Sequence, residues 1–366
     1  MNRLRRLGLF VFIPLSAFAA APVLQTGEIA GAKFTLAHPA DLKAWNRQVV
    51  LIAHGYRDKK APLVADLFPD QLATKTLLAE GWIVAKTSYR RNGLVIADAL
   101  LDLDALRAHI AKTYGEPTRV LLEGESMGGL IVTLGAERAP ALYAGAIAIG
   151  AALSIQEPGS ALAPSLQPKI PLLFLTNQSE LDGPVAYVNA PAPRPDANLR
   201  PALFRVSRDG HVNVNQRERL AAFRALNTWL DTGRASLPAP AAGAPFHDAT
   251  VVPAPVPSRV ASDADARGFT ARITEVSAVY GNVFLDAQPA DFAAAGIAPG
   301  AWFQVGARGQ TFRTYYGRDF GSVKRGEWVV FPNAEGFFWL SRNWENAAAS
   351  AGLKLGDPVS IRLLAP

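Results

Sequence analysis

Ser126 lies in Gly124-Glu125-Ser126-Met127-Gly128, with a further glycine at 129. A serine hydroxyl is a poor nucleophile until a base removes its proton and a carboxylate orients that base. The sequence offers both partners downstream. His211 follows Asp209 and Gly210, and Glu180 and Asp182 close the segment Pro171-Leu-Leu-Phe-Leu-Thr-Asn-Gln-Ser-Glu-Leu-Asp. Nucleophile first, acid next and histidine last is a workable chain order for acyl transfer. Glu180 is preferred as the acid, with Asp182 the alternative. The other histidines fit this role poorly. His38 precedes the predicted sheet, His109 lies inside a predicted helix, and His247 lies in a stretch rich in Pro and Ala.

These groups work only if the chain brings them to one edge. Residues 48–53, Gln-Val-Val-Leu-Ile-Ala, form a continuous apolar run ending in His54-Gly55, as a strand buried on both faces would. Further strands are predicted at 82–88, 119–123, 145–149, 171–176 and 202–206. Helical spacing covers 67–79, 96–112, 127–137 and 216–230. Such alternation predicts an open, doubly wound, mostly parallel α/β sheet. Ser126 then sits on a tight strand-to-helix turn, where flanking glycines make room for the backbone. Glu180 and His211 follow later strands, at the carboxyl edge where catalytic groups of such sheets gather. Two amides must face the developing oxyanion. The Met127 amide opens the helix after the serine, and the Tyr56 amide ends an earlier strand. His54 is then a structural histidine beside the site.

The remaining composition narrows the classes. Cysteine is absent, which excludes disulfides, thiolate metal sites and a cysteine nucleophile. The five histidines are scattered, with none paired at ligand spacing, so neither metal nor cofactor is expected. Arg3, Arg5 and Arg6 precede a short apolar run and Ala17-Phe18-Ala19, the pattern of a secretory leader at 1–19. Its apolar run is too short for a comfortable membrane span. The expectation is a periplasmic or secreted protein without a stable membrane span after cleavage. Loss of those arginines takes the formal net charge from +6 to +3, and no Lys/Arg-rich run follows, so no nucleic-acid partner is expected.

Residues 34–233 resemble the α/β-hydrolase superfamily. The resemblance is carried by His54-Gly55, Ser88-Tyr89-Arg90-Arg91, Gly124 to Gly129, the 171–185 segment and Gly210-His211. Among exported members, a strand opened by proline is followed by the acid and then Pro-Val. Matching Pro171 and Pro184-Val185 implies Glu180 as the acid, where members more often have aspartate. The segment 151–167, where many relatives carry a lid, is short, which implies an open site. The resemblance implies hydrolysis of an ester or amide through an acyl-enzyme; of these, a small-molecule ester is preferred to an amide or peptide.

The sequence predicts four regions: the leader at 1–19, the hydrolase domain at 20–234, a semi-extended linker at 235–266 and a further domain at 267–366. The linker is rich in Pro and Ala. The last region reads as short strands punctuated by Gly and Asn, hence a small all-β barrel or sandwich. It resembles the C-terminal β-domain of the S-adenosylmethionine hydroxide adenosyltransferases and halogenases. The marks are Ala278-Val-Tyr-Gly-Asn282, the run from Pro332 to Asn343, Asn346-Ala-Ala, and Gly352-Leu-Lys-Leu-Gly-Asp-Pro358-Val. In that family the domain helps to hold the adenine end of the ligand. The matching positions are Tyr280, Asn282, Phe284, Arg342 and the backbone near Trp344. The family's N-terminal domain is absent, and Ser277-Ala278-Val279 replaces its acidic position, so the adenosyltransferase reaction is not expected. A structural or interaction module, including one for oligomerisation, stands beside residual nucleoside binding. The alternative to hydrolysis is a binding protein whose hydrolase fold is idle.

Overall fold

A computed structural model describes residues 21–191, 196–235 and 246–364. The expected leader and residues 236–245 of the expected linker lie outside the described residues. Among the described residues, no helix is long and apolar enough to cross a membrane.

The chain opens with a hairpin, β1 (Val23–Ile29) and β2 (Ala32–His38), turned by Ala30 and Gly31, both at positive φ. Then follow β3 (Gln48–Ala53), α1 (Leu72–Ala79), β4 (Ile83–Thr87), α2 (Ile96–Tyr114), β5 (Arg119–Glu125) and α3 (Met127–Arg138). Next come β6 (Gly145–Ile149), β7 (Leu172–Asn177), α4 (Asp182–Asn189), β8 (Ala202–Val206), α5 (Gln216–Thr232) and β9 (His247–Asp248). They build one sheet in the order β1-β2-β4-β3-β5-β6-β7-β8-β9. The strands from β4 to β9 are parallel, and the hairpin extends them antiparallel. This is the doubly wound, mostly parallel sheet that the alternation predicts, in keeping with the α/β-hydrolase resemblance.

The apolar runs are continuous because both faces are covered. Val49 and Leu51 point into the core beneath α2, α3 and α4, and Val50 points into the core beneath α1 and α5. In α2 the buried positions Ile96, Ala99, Leu103, Leu106 and Ile110 recur every three or four residues, the stripe of a helix lying on a sheet. Asn215 caps α5, accepting from Arg217 N and Glu218 N, while the Glu218 side chain returns to the Asn215 amide.

Three local readings change. The first helix begins at Leu72 rather than 67, because the residue before Pro69 is disfavoured in helical geometry. The opening hairpin has no counterpart in the predicted elements. Part of the expected linker joins the sheet: β9 pairs with β8, Ala249 N donates to Arg205 O at 2.8 Å, and Val251 N donates to Glu218 at 2.9 Å.

The second unit contains β10 (Ala261–Ser262), β11 (Gly268–Val276), β12 (Val283–Leu285), α6 (Pro289–Ala294), β13 (Trp302–Ala307) and β14 (Gln310–Tyr316). It ends with β15 (Trp328–Pro332), β16 (Phe338–Arg342), α7 (Ala347–Ala351) and β17 (Pro358–Leu363). The ring β11-β12-β16-β15-β14-β13-β17 closes by pairing β17 with β11, so it is a barrel rather than a sandwich. Phe292 of α6 fills its interior, stacked on Phe338 at 4.1 Å between ring centres and edge-on to Phe269 and Phe303. The two units have separate apolar cores.

Candidate active site

Ser126 stands between β5 and α3 with φ 56° and ψ −117°, a conformation that L-residues avoid. The surrounding packing enforces it. A Cβ on Gly128 would lie 2.0 Å from the Ala53 carbonyl oxygen, and one on Gly124 would lie 2.2 Å from that of Gly128. Only glycine lets α3 approach β3 and β5 this closely.

The carboxyl ends of the strands bring three distant side chains together. His211 Nε2 is 2.8 Å from Ser126 Oγ. His211 Nδ1 hydrogen-bonds Glu180, whose second oxygen accepts from Val212 N at 3.2 Å. Asp182 opens α4 and lines a shallow cavity of about 390 Å³ with Glu180, Pro184 and residues 151–154. Burial acts to lower the pKa of His211. The hydrogen bond and charge of Glu180 outweigh this, aided by Glu125 and Asp319, and the pKa is raised above the ordinary 6.5. The His211 side chain remains 43% exposed.

The loop after β3 runs beside the serine. A Cβ on Gly55 would be 3.7 Å from Ser126 Oγ. The amides of Tyr56 and Met127 have no hydrogen-bond acceptor among the described residues. Two amides without internal partners next to a serine hydroxyl can receive an anion. His54 is held differently. Its ring is buried against Tyr89, with centres 4.0 Å apart, and its nitrogens meet the carbonyls of Gly55 (2.7 Å) and Ser88 (3.0 Å). Burial, then Arg57 and Lys86, push its pKa down to about 3, so it stays neutral.

Beneath the turn lies an ionic group that the sequence reading missed. Arg219 of α5 pairs with both Glu123 and Glu125. Burial raises the pKa of Glu123, whereas at Glu125 the charges of Arg219 and Lys86 outweigh burial and lower it. Nearby, Asp66 joins Arg57 and Lys86. The available signal was Glu125 inside the serine motif, a carboxylate needing a cation from some other element.

The barrel positions singled out by resemblance separate into two groups. Tyr280 and Trp344 meet the first domain: the Tyr280 hydroxyl donates to the Tyr56 carbonyl at 3.2 Å, and the Trp344 ring lies edge-on to the Tyr56 ring at 6.0 Å. The others stay within the barrel. Asn282 is buried, Phe284 packs edge-on against Trp339, and Arg342 engages Gly326 O, Ser350 and Glu345.

The first unit therefore has an α/β-hydrolase fold, with Ser126 on its strand-to-helix turn, and it is joined to a closed β-barrel. Comparison places each part. Residues 88–190 match the family model described as serine aminopeptidase, S33, and residues 278–360 match the SAM hydroxide adenosyltransferase C-terminal domain. Neither match spans half of the chain. Among solved structures, similarity extends to an uncharacterized conserved protein from Thermotoga maritima (21% identity, 28% of this chain and 38% of that one, TM-score 0.27). It extends also to Est1E from Butyrivibrio proteoclasticus (13%, 57% and 95%, TM-score 0.36) and oligopeptidase B from Leishmania major (14%, 59% and 37%, TM-score 0.44). The chain thus covers well under half of the Thermotoga protein. No curated protein matches the sequence.

Proposed function

We infer that this chain is an exported serine hydrolase that cleaves carboxylic esters, its leader being removed after Ala19. The observation that carries the reading is the hydrogen-bonded series from Ser126 Oγ through His211 to Glu180. Glu180, rather than Asp182, is the acid because it is the carboxylate on His211 Nδ1.

Ser126 Oγ attacks the ester carbonyl as His211 Nε2 takes its proton. The carbonyl electrons move onto oxygen, where the Tyr56 and Met127 amides stabilise the anion. The intermediate collapses, the C–O bond to the leaving group breaks, and His211 returns the proton to the departing alkoxide. Water then repeats the sequence on the acyl-serine, with His211 as base, and frees the acid and Ser126. The short 151–167 segment and the exposed His211 edge fit a small ester better than an enclosed peptide.

A fluorophosphonate probe should label the mature protein, which should also hydrolyse p-nitrophenyl acetate. Ser126→Ala should abolish labelling and lower kcat by about a thousandfold or more. Wild type that neither labels nor turns over would make the fold catalytically idle.

A further inference from the structure

The barrel reaches both loops that act on Ser126. On the oxyanion side, Tyr280 donates to the Tyr56 carbonyl and Trp344 meets the Tyr56 ring. On the other side, Arg318 lies 3.8 Å from Asp209, two residues before His211. Asn213 Nδ2 donates to Pro332 O at 3.3 Å, and Gln216 N donates to Glu335 at 3.0 Å. Trp344 is unusual among these groups. It is 68% exposed and has φ 61°, in the left-handed region that bulky residues avoid. Its neighbours are pinned: Asn343 Nδ2 donates to Val323 O at 2.8 Å, and Glu345 N donates to Arg342 O at 3.0 Å. The backbone is thus fixed on both sides of an indole left open beside the oxyanion loop.

Resting on the hydrolase reading, we propose that Trp344, with the Tyr56 ring, forms an aromatic wall of the substrate site and selects esters that carry a flat aromatic group. Aromatic rings gain from edge-on or offset contacts beyond the apolar area they bury. A pocket wall supplied at a domain junction is a common arrangement for small ligands. The shallow cavity lined by residues 151–154 and Glu180 lies on the acid side of the site.

The test compares kcat/KM for phenyl acetate and ethyl phenylacetate with that for ethyl acetate, using pH-stat titration of the whole mature chain. Trp344→Ala should lower the aromatic-to-aliphatic ratio for at least one aromatic ester by about tenfold, through KM. Trp344→Phe should restore most of it, and unchanged melting of both variants would show that they fold. An equal effect on all three esters, or no effect, overturns the proposal. Calorimetry gives a reading that does not need turnover. Wild type should bind phenylacetate more tightly than acetate, and Trp344→Ala should remove the difference. Equal binding by wild type sinks the wall even if Ser126 is active. Absent turnover with preferential phenylacetate binding sinks the hydrolase reading and leaves the wall standing.

Discussion

At the scale of single residues, the proposed chemistry depends on which carboxylate holds His211. Glu180 carries the Nδ1 hydrogen bond, and Asp182 makes no hydrogen bond to His211 or Ser126. Glu180→Gln should therefore lower kcat for p-nitrophenyl acetate by about ten-thousandfold, because the amide no longer stabilises the imidazolium or its tautomer. Asp182→Asn should stay within a few-fold of wild type, and the reverse ranking would move the acid to Asp182. In the proposed mechanism His211 must be neutral to accept the serine proton. Since its pKa is raised above 6.5, kcat/KM should fall as pH drops through a value above 6.5. Asp319→Asn removes one of the charges that raise it, so the acid limb should move to lower pH. A wild-type limb at or below 6.5 would contradict this electrostatic account.

At the scale of elements, the turn holding Ser126 is fastened from below. Arg219 ties α5 to β5 through Glu123, which is buried, and Glu125, which is partly exposed. Arg219→Met preserves much of the side-chain volume but leaves Glu123 without its cation. Removing one partner of a buried pair costs about 3 kcal/mol or more, since the remaining charge stays desolvated. Urea unfolding of the variant should show a loss of that order, and fluorophosphonate labelling should slow as the turn loosens. A loss below about 1 kcal/mol would mean the pair behaves as an exposed one.

At the scale of the whole molecule, two histidines shape stability against pH in opposite directions. His54 has a folded pKa of about 3, below its unfolded 6.5. As pH falls below 6.5 the unfolded chain takes up a proton that the folded chain refuses until about pH 3, so stability declines across that window. His211 has a raised folded pKa, and its contribution is full below 6.5 and lost as pH rises through the folded value. That second effect is small because the ring is 43% exposed. Unfolding free energy measured from pH 6.5 down to about pH 5 should fall in wild type and fall less steeply in His54→Asn. Identical slopes would mean that His54 does not set the acid limit.

Much of this molecule is legible in its residues. A continuous apolar run such as 48–53 can be covered only in the middle of a two-sided sheet, and a 3.6-residue stripe such as that of α2 can lie only on one. Gly124 and Gly128 around Ser126 mark a turn where backbones nearly touch. Glu180 and His211 are visible as groups that follow strands, and chain order with the proline pattern narrows them. The limits were equally physical. The opening hairpin depends on a neighbour strand supplied by β4, and β9 has only two residues, too few for a periodicity. Arg219 reads as a polar residue on a helix until α5 lies over β5. Nothing in the spacing of Tyr280, Asp319 and Trp344 relates them to Ser126. Sequence by itself determined the sheet, the serine turn and the candidate partners, because local patterns and burial dictate them. The placement of the barrel beside Tyr56 and His211 was decided only by the tertiary structure, since those contacts join residues more than a hundred positions apart and carry no local signal.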